Sequence, residues 1–344
     1  MNSKHLEIFG VVTFYTFMAT SSVIVNKYFL KSISIPLILL ELQMVVSSIV
    51  LIAGYSIKKL INQQKKGTEA ESQKQEQQAK LSVLETIQLL WPMVFCNVFG
   101  LAFNIICLSK IDAIMHQVTR GITLPMTALL GPLLGNDSSS WRVLLICVTI
   151  FSGFVVAVSG DIKSTNISIF GVVAGLISSL INAYNAQFVK NRFNGGNKFS
   201  AIDLVYYNNI YSTILLAPVA LMYEGSQMAA IKNWGHVMVV AVITGIMGVL
   251  INYAGFLQIK VTSPVTHCVS SAARGIFQVL ASNLILREKL TTTRSIGLGL
   301  SLAASSLYPV VKSYDNGLKK KAYEQIELQS ITMNKISISQ STAK

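Results

Sequence analysis

Two arginines, Arg120 and Arg274, stand inside long apolar runs, each followed by Gly-Ile. A guanidinium at the centre of a bilayer costs about 3 kcal/mol on insertion scales, so it persists only beside a partner or an aqueous cavity. Its planar fork matches phosphate oxygens in a bidentate contact. The chemistry expected of the pair is a clamp on a phosphate or diphosphate. The alternative is an internal salt bridge with Glu41, the only acid well inside an apolar run, for which proton coupling also stays open. A second group is Tyr206-Tyr207-Asn208-Asn209, just after Asp203. Adjacent amides offer donors and acceptors, and a flanking ring offers a stacking face, which suits a nucleobase. Helix-end capping and interfacial aromatics account for the same residues equally well. Asn26-Lys27, Asn182 and Asn185 place further polar groups in other runs, where they are expected to face a bundle interior or water.

Nothing in the chain spells a catalytic or cofactor motif. There is no HExxH, no phosphate-binding glycine loop and no dinucleotide fingerprint, so no metal and no cofactor are expected. His116 and His267 read as helix-end residues. The four cysteines, Cys96, Cys107, Cys147 and Cys268, are scattered singly and read as packing residues.

The elements that position these residues follow from hydropathy. Of 344 residues, 52% are hydrophobic and 12% charged, and mean hydropathy is +0.54. A helix needs about 20 apolar residues to cross a hydrocarbon core. Ten such runs are present, at 8–30, 36–57, 84–108, 113–134, 141–160, 168–189, 204–223, 237–259, 265–286 and 294–312. The expected fold is all-α and membrane-embedded. Residues 58–82 (a Gln/Lys/Glu stretch) and the tail 314–344 are too polar to pack a core and are expected to be disordered. The formal charge of +13 brings no nucleic-acid motif with it. It reads as a positive-inside bias and attraction to anionic membrane lipids. With the N-terminus in the cytosol, most of the basic residues fall on the cytosolic side, and an even number of spans returns the C-terminus there.

A weak internal repeat points to the architecture. Lys110…His116-Gln-Val118-Thr-Arg120-Gly-Ile is similar to Lys260…His267-Cys-Val269…Arg274-Gly-Ile, with a one-turn slip between His and Arg. The fourth and ninth runs point in opposite directions, and both arginines lie about 15–20 Å from the same membrane face. Two inverted five-helix halves, 1–160 and 161–313, around a central cavity would bring the arginines to a common depth. Gly131/Gly135 and Gly171/Gly175 have the spacing of close helix packing.

Carried by these residues, the chain resembles the nucleotide-sugar transporters of the drug/metabolite transporter superfamily, which have relatives among triose-phosphate translocators. Asn26-Lys27 matches the Asn-Lys pair closing the first helix, and Tyr207-Asn208-Asn209 matches the Phe-Tyr-Asn-Asn motif linked to nucleotide recognition. Ser271-Ala272-Ala273-Arg274-Gly275 aligns with the Gly-Ala-Leu-Asn-Lys motif of GDP-mannose transporters but shifts its basic group by one position. Thr262-Ser263-Pro264-Val265-Thr266-His267 and Val118-Thr119-Arg120 resemble GDP-fucose transporters instead, which have lysine where Arg274 stands. The resemblance implies a Golgi or endoplasmic-reticulum membrane and exchange of cytosolic GDP-fucose for lumenal GMP. Asn26, Lys27, Ser271 and Ala272 would line the cavity near the sugar. Other nucleotide sugars or phosphorylated sugars are alternative cargoes, and self-association into a homodimer is a further expectation. A polytopic membrane transferase is the rival class, and it would need a catalytic acid, histidine or metal cluster.

Overall fold

The computed structural model describes residues 3–32, 35–65, 83–133, 140–162, 168–194, 201–229, 231–261 and 264–342. All the regular structure in them is helical: α1 (Ser3–Ser32), α2 (Pro36–Lys65), α3 (Val83–Lys110), α4 (Ala113–Gly121), α5 (Thr123–Leu133), α6 (Trp141–Ile162), α7 (Ile169–Asn194), α8 (Ala201–Met228), α9 (Trp234–Val261), α10 (Pro264–Ile285) and α11 (Thr292–Thr342). Five stretches are long and apolar enough to cross a membrane: Pro36–Ile57, Leu90–Lys110, Trp141–Gly160, Ile169–Phe188 and Trp234–Ala254. Large apolar side chains also face outward, among them Phe17, Leu144, Val155, Met222 and Leu284. Contiguous apolar exposure of this kind suits lipid rather than water.

The fourth apolar run is not one helix but two. Pro125 has no amide to donate, and its ring crowds the carbonyl of the residue four positions back, Gly121. Pro92, Pro132, Pro218 and Pro309 also lie inside helices, yet those helices stay continuous. Their counterparts four residues back are Gln88, Ala128, Ile214 and Ser305. Only Pro125 is paired with a glycine, whose backbone yields most easily. The chain therefore breaks at Ile122, whose amide bonds back to the Thr119 carbonyl at 3.2 Å.

The helix α2 continues through 58–65, and α11 continues from its apolar segment to Thr342. Lys, Gln, Glu and Leu are good helix formers, and no proline or glycine follows Gly317 to stop the helix. Residues 66–82 of the expected loop lie outside the described residues, as does Gly135.

The two largest of four apolar clusters among the described residues join most of the helices. Phe29, Ile35, Leu39, Val98, Leu216 and Ala241 join α1, α2, α3, α8 and α9. Cys107, Ile114, Met115, Ala157, Ala174 and Val279 join α3, α4, α6, α7 and α10. The main helix contacts are α1 and α2 with α9, α3 with α7 and α8, α2 with α8, α1 with α10, α5 with α7, α4 with α10, and α6 with α11. At Gly171 and Gly175 α7 lies so close to α3 and α4 that an added Cβ would meet Ile111 at 2.7 Å and Cys107 at 2.8 Å.

Candidate functional site

Helix α4 is buried from Ala113 to Thr119, and Arg120 follows in its last turn. It packs on α10, where Gln278 donates from Nε2 to the Ala113 carbonyl at 3.1 Å. One turn further Gly275 presses on Gln117; a Cβ there would lie 2.6 Å from the Gln117 Nε2. Arg274 sits beside this contact, buried at 8% exposure. It is the dominant charge acting on Arg120, so the two guanidiniums are neighbours. Tyr15 of α1 lies beneath Arg274, with 5.7 Å from guanidinium carbon to ring centroid, within the range of a cation–π contact.

Among the described residues neither arginine has an ion pair with a carboxylate. The Arg274 Nε is buried without a hydrogen-bond partner. Glu41, the alternative counter-ion, has an unpartnered buried Oε2 and pairs with neither arginine. His116, in the first turn of α4 as expected of a helix-end residue, is buried. Its Nε2 meets the Asn104 Oδ1 at 3.0 Å. No group of three possible metal ligands is gathered among the described residues.

The asparagines of the second motif divide. Asn209 donates from Nδ2 to the Ser48 Oγ at 2.9 Å and ties α8 to α2. Asn208 keeps its Oδ1 buried and unpartnered. Tyr207 belongs to an aromatic ladder, edge-on to Tyr206 at 5.3 Å and stacked on Tyr211 at 6.0 Å, with Tyr206 stacked on Tyr55 at 4.9 Å.

The first-helix pair stands apart from the arginines in its contacts. Lys27 is buried and donates to the carbonyls of Leu108 at 2.9 Å and Ile111 at 2.5 Å. Its ammonium satisfies acceptors left open where α3 ends. Asn26 accepts from the Gln43 Nε2 at 2.8 Å. The side chains of Ser271, Ala272 and His267 lie outside the described residues. Tyr15, Gln117 and Gln278 were missed in the sequence, because a lone tyrosine in an apolar run looks like its outward-facing neighbours Phe14 and Phe17, and nothing local marks a glutamine as facing another helix.

A helical protein whose apolar faces turn outward belongs to the class of membrane-embedded proteins. The chain is a member of the Triose-phosphate Transporter family, whose model matches residues 6–309. It is 26% identical over 325 residues to the Golgi GDP-fucose transporter of Drosophila melanogaster, covering 91% of this chain and 92% of the relative. It is 29% identical over 236 residues to GDP-fucose transporter 1 of Nematostella vectensis, covering 68% of each. A relative with another named cargo is UDP-galactose transporter 1 of Arabidopsis thaliana, 24% identical over 65% of each chain. A solved crystal structure shares the fold at a TM-score of 0.53 and 13% identity, covering 90% of this chain and 98% of that one. Family and relatives make the protein a transporter and not an enzyme.

Proposed function

We propose that the protein carries a nucleotide sugar, GDP-fucose foremost, across the Golgi membrane in exchange for GMP. The observation that carries this reading is the neighbouring pair Arg120 and Arg274 with no carboxylate between them. Two adjacent cations repel each other, and the more strongly the lower the local dielectric. A diphosphate neutralises both and satisfies the open Arg274 Nε. The base docks at Tyr207, Asn208 and Asn209, the sugar lies deeper beside Ser271 and Ala272, and GMP uses the same base and phosphate contacts. The first-helix pair Asn26-Lys27 closes the cavity wall.

The expected architecture of two inverted halves, 1–160 and 161–313, finds support in the packing. Exchange each helix for the one five spans on, counting α4 and α5 as one span. The contact of α1 with α9 then becomes that of α3 with α7, α2 with α9 becomes α3 with α8, and α1 with α10 becomes α5 with α7. The contacts α2–α8, α4–α10 and α6–α11 map onto themselves. That is the pattern of an internal two-fold axis, about which the halves rock to expose the site alternately. Both termini lie in the cytosol in this reading.

A thermal-shift series with purified protein tests the cargo. GMP, GDP and GDP-fucose raise Tm more than UMP, UDP or inorganic phosphate at equal concentration. The variant Asn208→Ala lowers GMP affinity about tenfold, as for loss of one buried hydrogen bond, with Tm of the free protein unchanged. Asn209→Ala lowers that Tm, because its amide holds α8 to α2. Equal shifts with inorganic phosphate and nucleotides in both wild type and Asn208→Ala would leave a carrier of phosphorylated sugars without a base.

A further inference from the structure

At one end of the bundle α2 and α4 begin, close to where α8 and α10 end. The first amides of any helix have no partner inside it. At α2 they are taken by Glu224 from the end of α8: its Oε1 accepts from Leu37 N at 3.1 Å and its Oε2 from Ile38 N at 2.9 Å. At α4 they are taken by Glu288 from the α10–α11 connection: Oε1 accepts from Ala113 N at 2.9 Å and Oε2 from Ile114 N at 3.0 Å. Both carboxylates are buried, at 3% and 5% exposure. Each makes the same two-pronged contact, and each reaches from the second half of the chain to the first.

These contacts are not ordinary caps. A normal N-cap residue is the local neighbour of its helix; at α4 that neighbour is Asp112, which makes no side-chain cap bond and pairs with Arg294 at 3.1 Å. The partners here are far apart in sequence, and they bridge α2 to α8 and α4 to α10. Those are two of the three contacts that the internal two-fold leaves in place. The backbone beside one of them is strained: Arg287 has φ of +53°, a left-handed conformation unusual for a bulky residue, held where Glu288 turns back onto α4. Strain of this kind collects where an element must switch.

We propose that Glu224 and Glu288 are paired latches that hold this mouth of the carrier shut, and that opening it requires both carboxylates to leave their helix N-termini. The inference rests on the transport reading. It assigns the gate on the side where α2 and α4 start, the lumenal side in the orientation given above. The latch is strong because charge meets helix dipole and two amides at once, and reversible because water can replace the carboxylate at each N-terminus once the mouth is wet.

The test is access, measured without cargo. Thr20→Cys, on α1 with a buried unpartnered hydroxyl in the parent chain, reports from below the seal when the native cysteines are replaced. In sealed proteoliposomes a membrane-impermeant maleimide applied on the latch side labels it slowly in the parent. Glu224→Gln or Glu288→Gln raises that rate about tenfold or more, the shift expected when a closed state loses a charged contact, and GMP still raises Tm. Glu→Asp, which keeps the charge but shortens the reach, gives an intermediate rate. Unchanged labelling in folded Gln variants overturns the proposal. So does failure of both the Gln and Asp variants to fold, which would make the carboxylates plain structural caps. Uptake is assayed separately: faster labelling in a chain that takes up no nucleotide sugar keeps the latches and removes the cargo reading, whereas intact uptake with flat labelling does the reverse.

Discussion

Arg274→Ala and Arg120→Ala each abolish nucleotide-competed uptake of GDP-fucose in proteoliposomes while raising the Tm of the cargo-free protein. The two halves of this result have one cause. In the free protein each guanidinium feels the charge of the other, and among the described residues neither pairs with a carboxylate, so removing either relieves repulsion between like charges. In the loaded protein each guanidinium makes charged hydrogen bonds to phosphate, worth about 1.5–3 kcal/mol each. Loss of two such bonds weakens nucleotide binding by about 100-fold or more. Activity therefore falls as stability rises, a trade typical of binding sites that carry strain. Lysine at position 274 keeps the charge but not the fork and should retain part of the uptake. A fall in Tm for both alanine variants would mean that the arginines are structural, held by their surroundings rather than waiting for an anion. Normal uptake by either would remove the clamp.

How far the sequence foretold these features depends on whether their cause is local. Helix positions were legible because each apolar run declares its own length: seven of the ten expected runs lie wholly within helices, 168–189 and 265–286 overrun theirs by one residue, and 113–134 is split at Ile122. The expectation that Arg120 and Arg274 come near each other rested on opposite chain direction and matched depth, both of which are written in the spacing. The break at Ile122 was also legible, in the Gly121/Pro125 pair, though a hydropathy reading passes over it because both residues suit an apolar run. Glu224 and Glu288 were not legible. Their partners are backbone amides in Leu37, Ile38, Ala113 and Ile114, and an amide leaves no trace in the residue type. The role of Lys27 was hidden for the same reason: its acceptors are main-chain carbonyls of α3 and of the turn that follows. Polar residues at the ends of apolar runs invite a functional reading, and here part of their chemistry goes to closing helix termini.

Gly297→Leu should leave little folded protein, and Gly299→Leu, two residues away on the same helix, should be tolerated. The helices α6 and α11 meet backbone to backbone. A Cβ at Gly297 would lie 2.4 Å from the Gly153 carbonyl oxygen, 2.6 Å from the Ala157 nitrogen and 2.8 Å from the Ala157 Cβ. From the other side, a Cβ at Gly153 would meet the Ser301 Oγ at 2.4 Å and the Gly297 carbonyl at 2.6 Å. Main-chain atoms cannot swing aside as a side chain can, so the helices must separate. That costs about 3 kcal/mol or more, at or beyond the upper end of overpacking, and breaks the Ser301 Oγ donation to the Ile150 carbonyl. Within lipid no hydrophobic drive pushes the helices back together, because close packing is itself what holds them. Nothing lies within 4 Å of a Cβ at Gly299, so leucine there adds only helix propensity. Monodispersity in detergent and Tm read the outcome. The atoms nearest Gly297 belong to Gly153 and Ala157 and not to either arginine, so any Gly297→Leu protein that does fold should bind GMP with unchanged affinity. Loss of binding in that folded fraction would show instead that the α6–α11 contact sets the distance between Arg120 and Arg274.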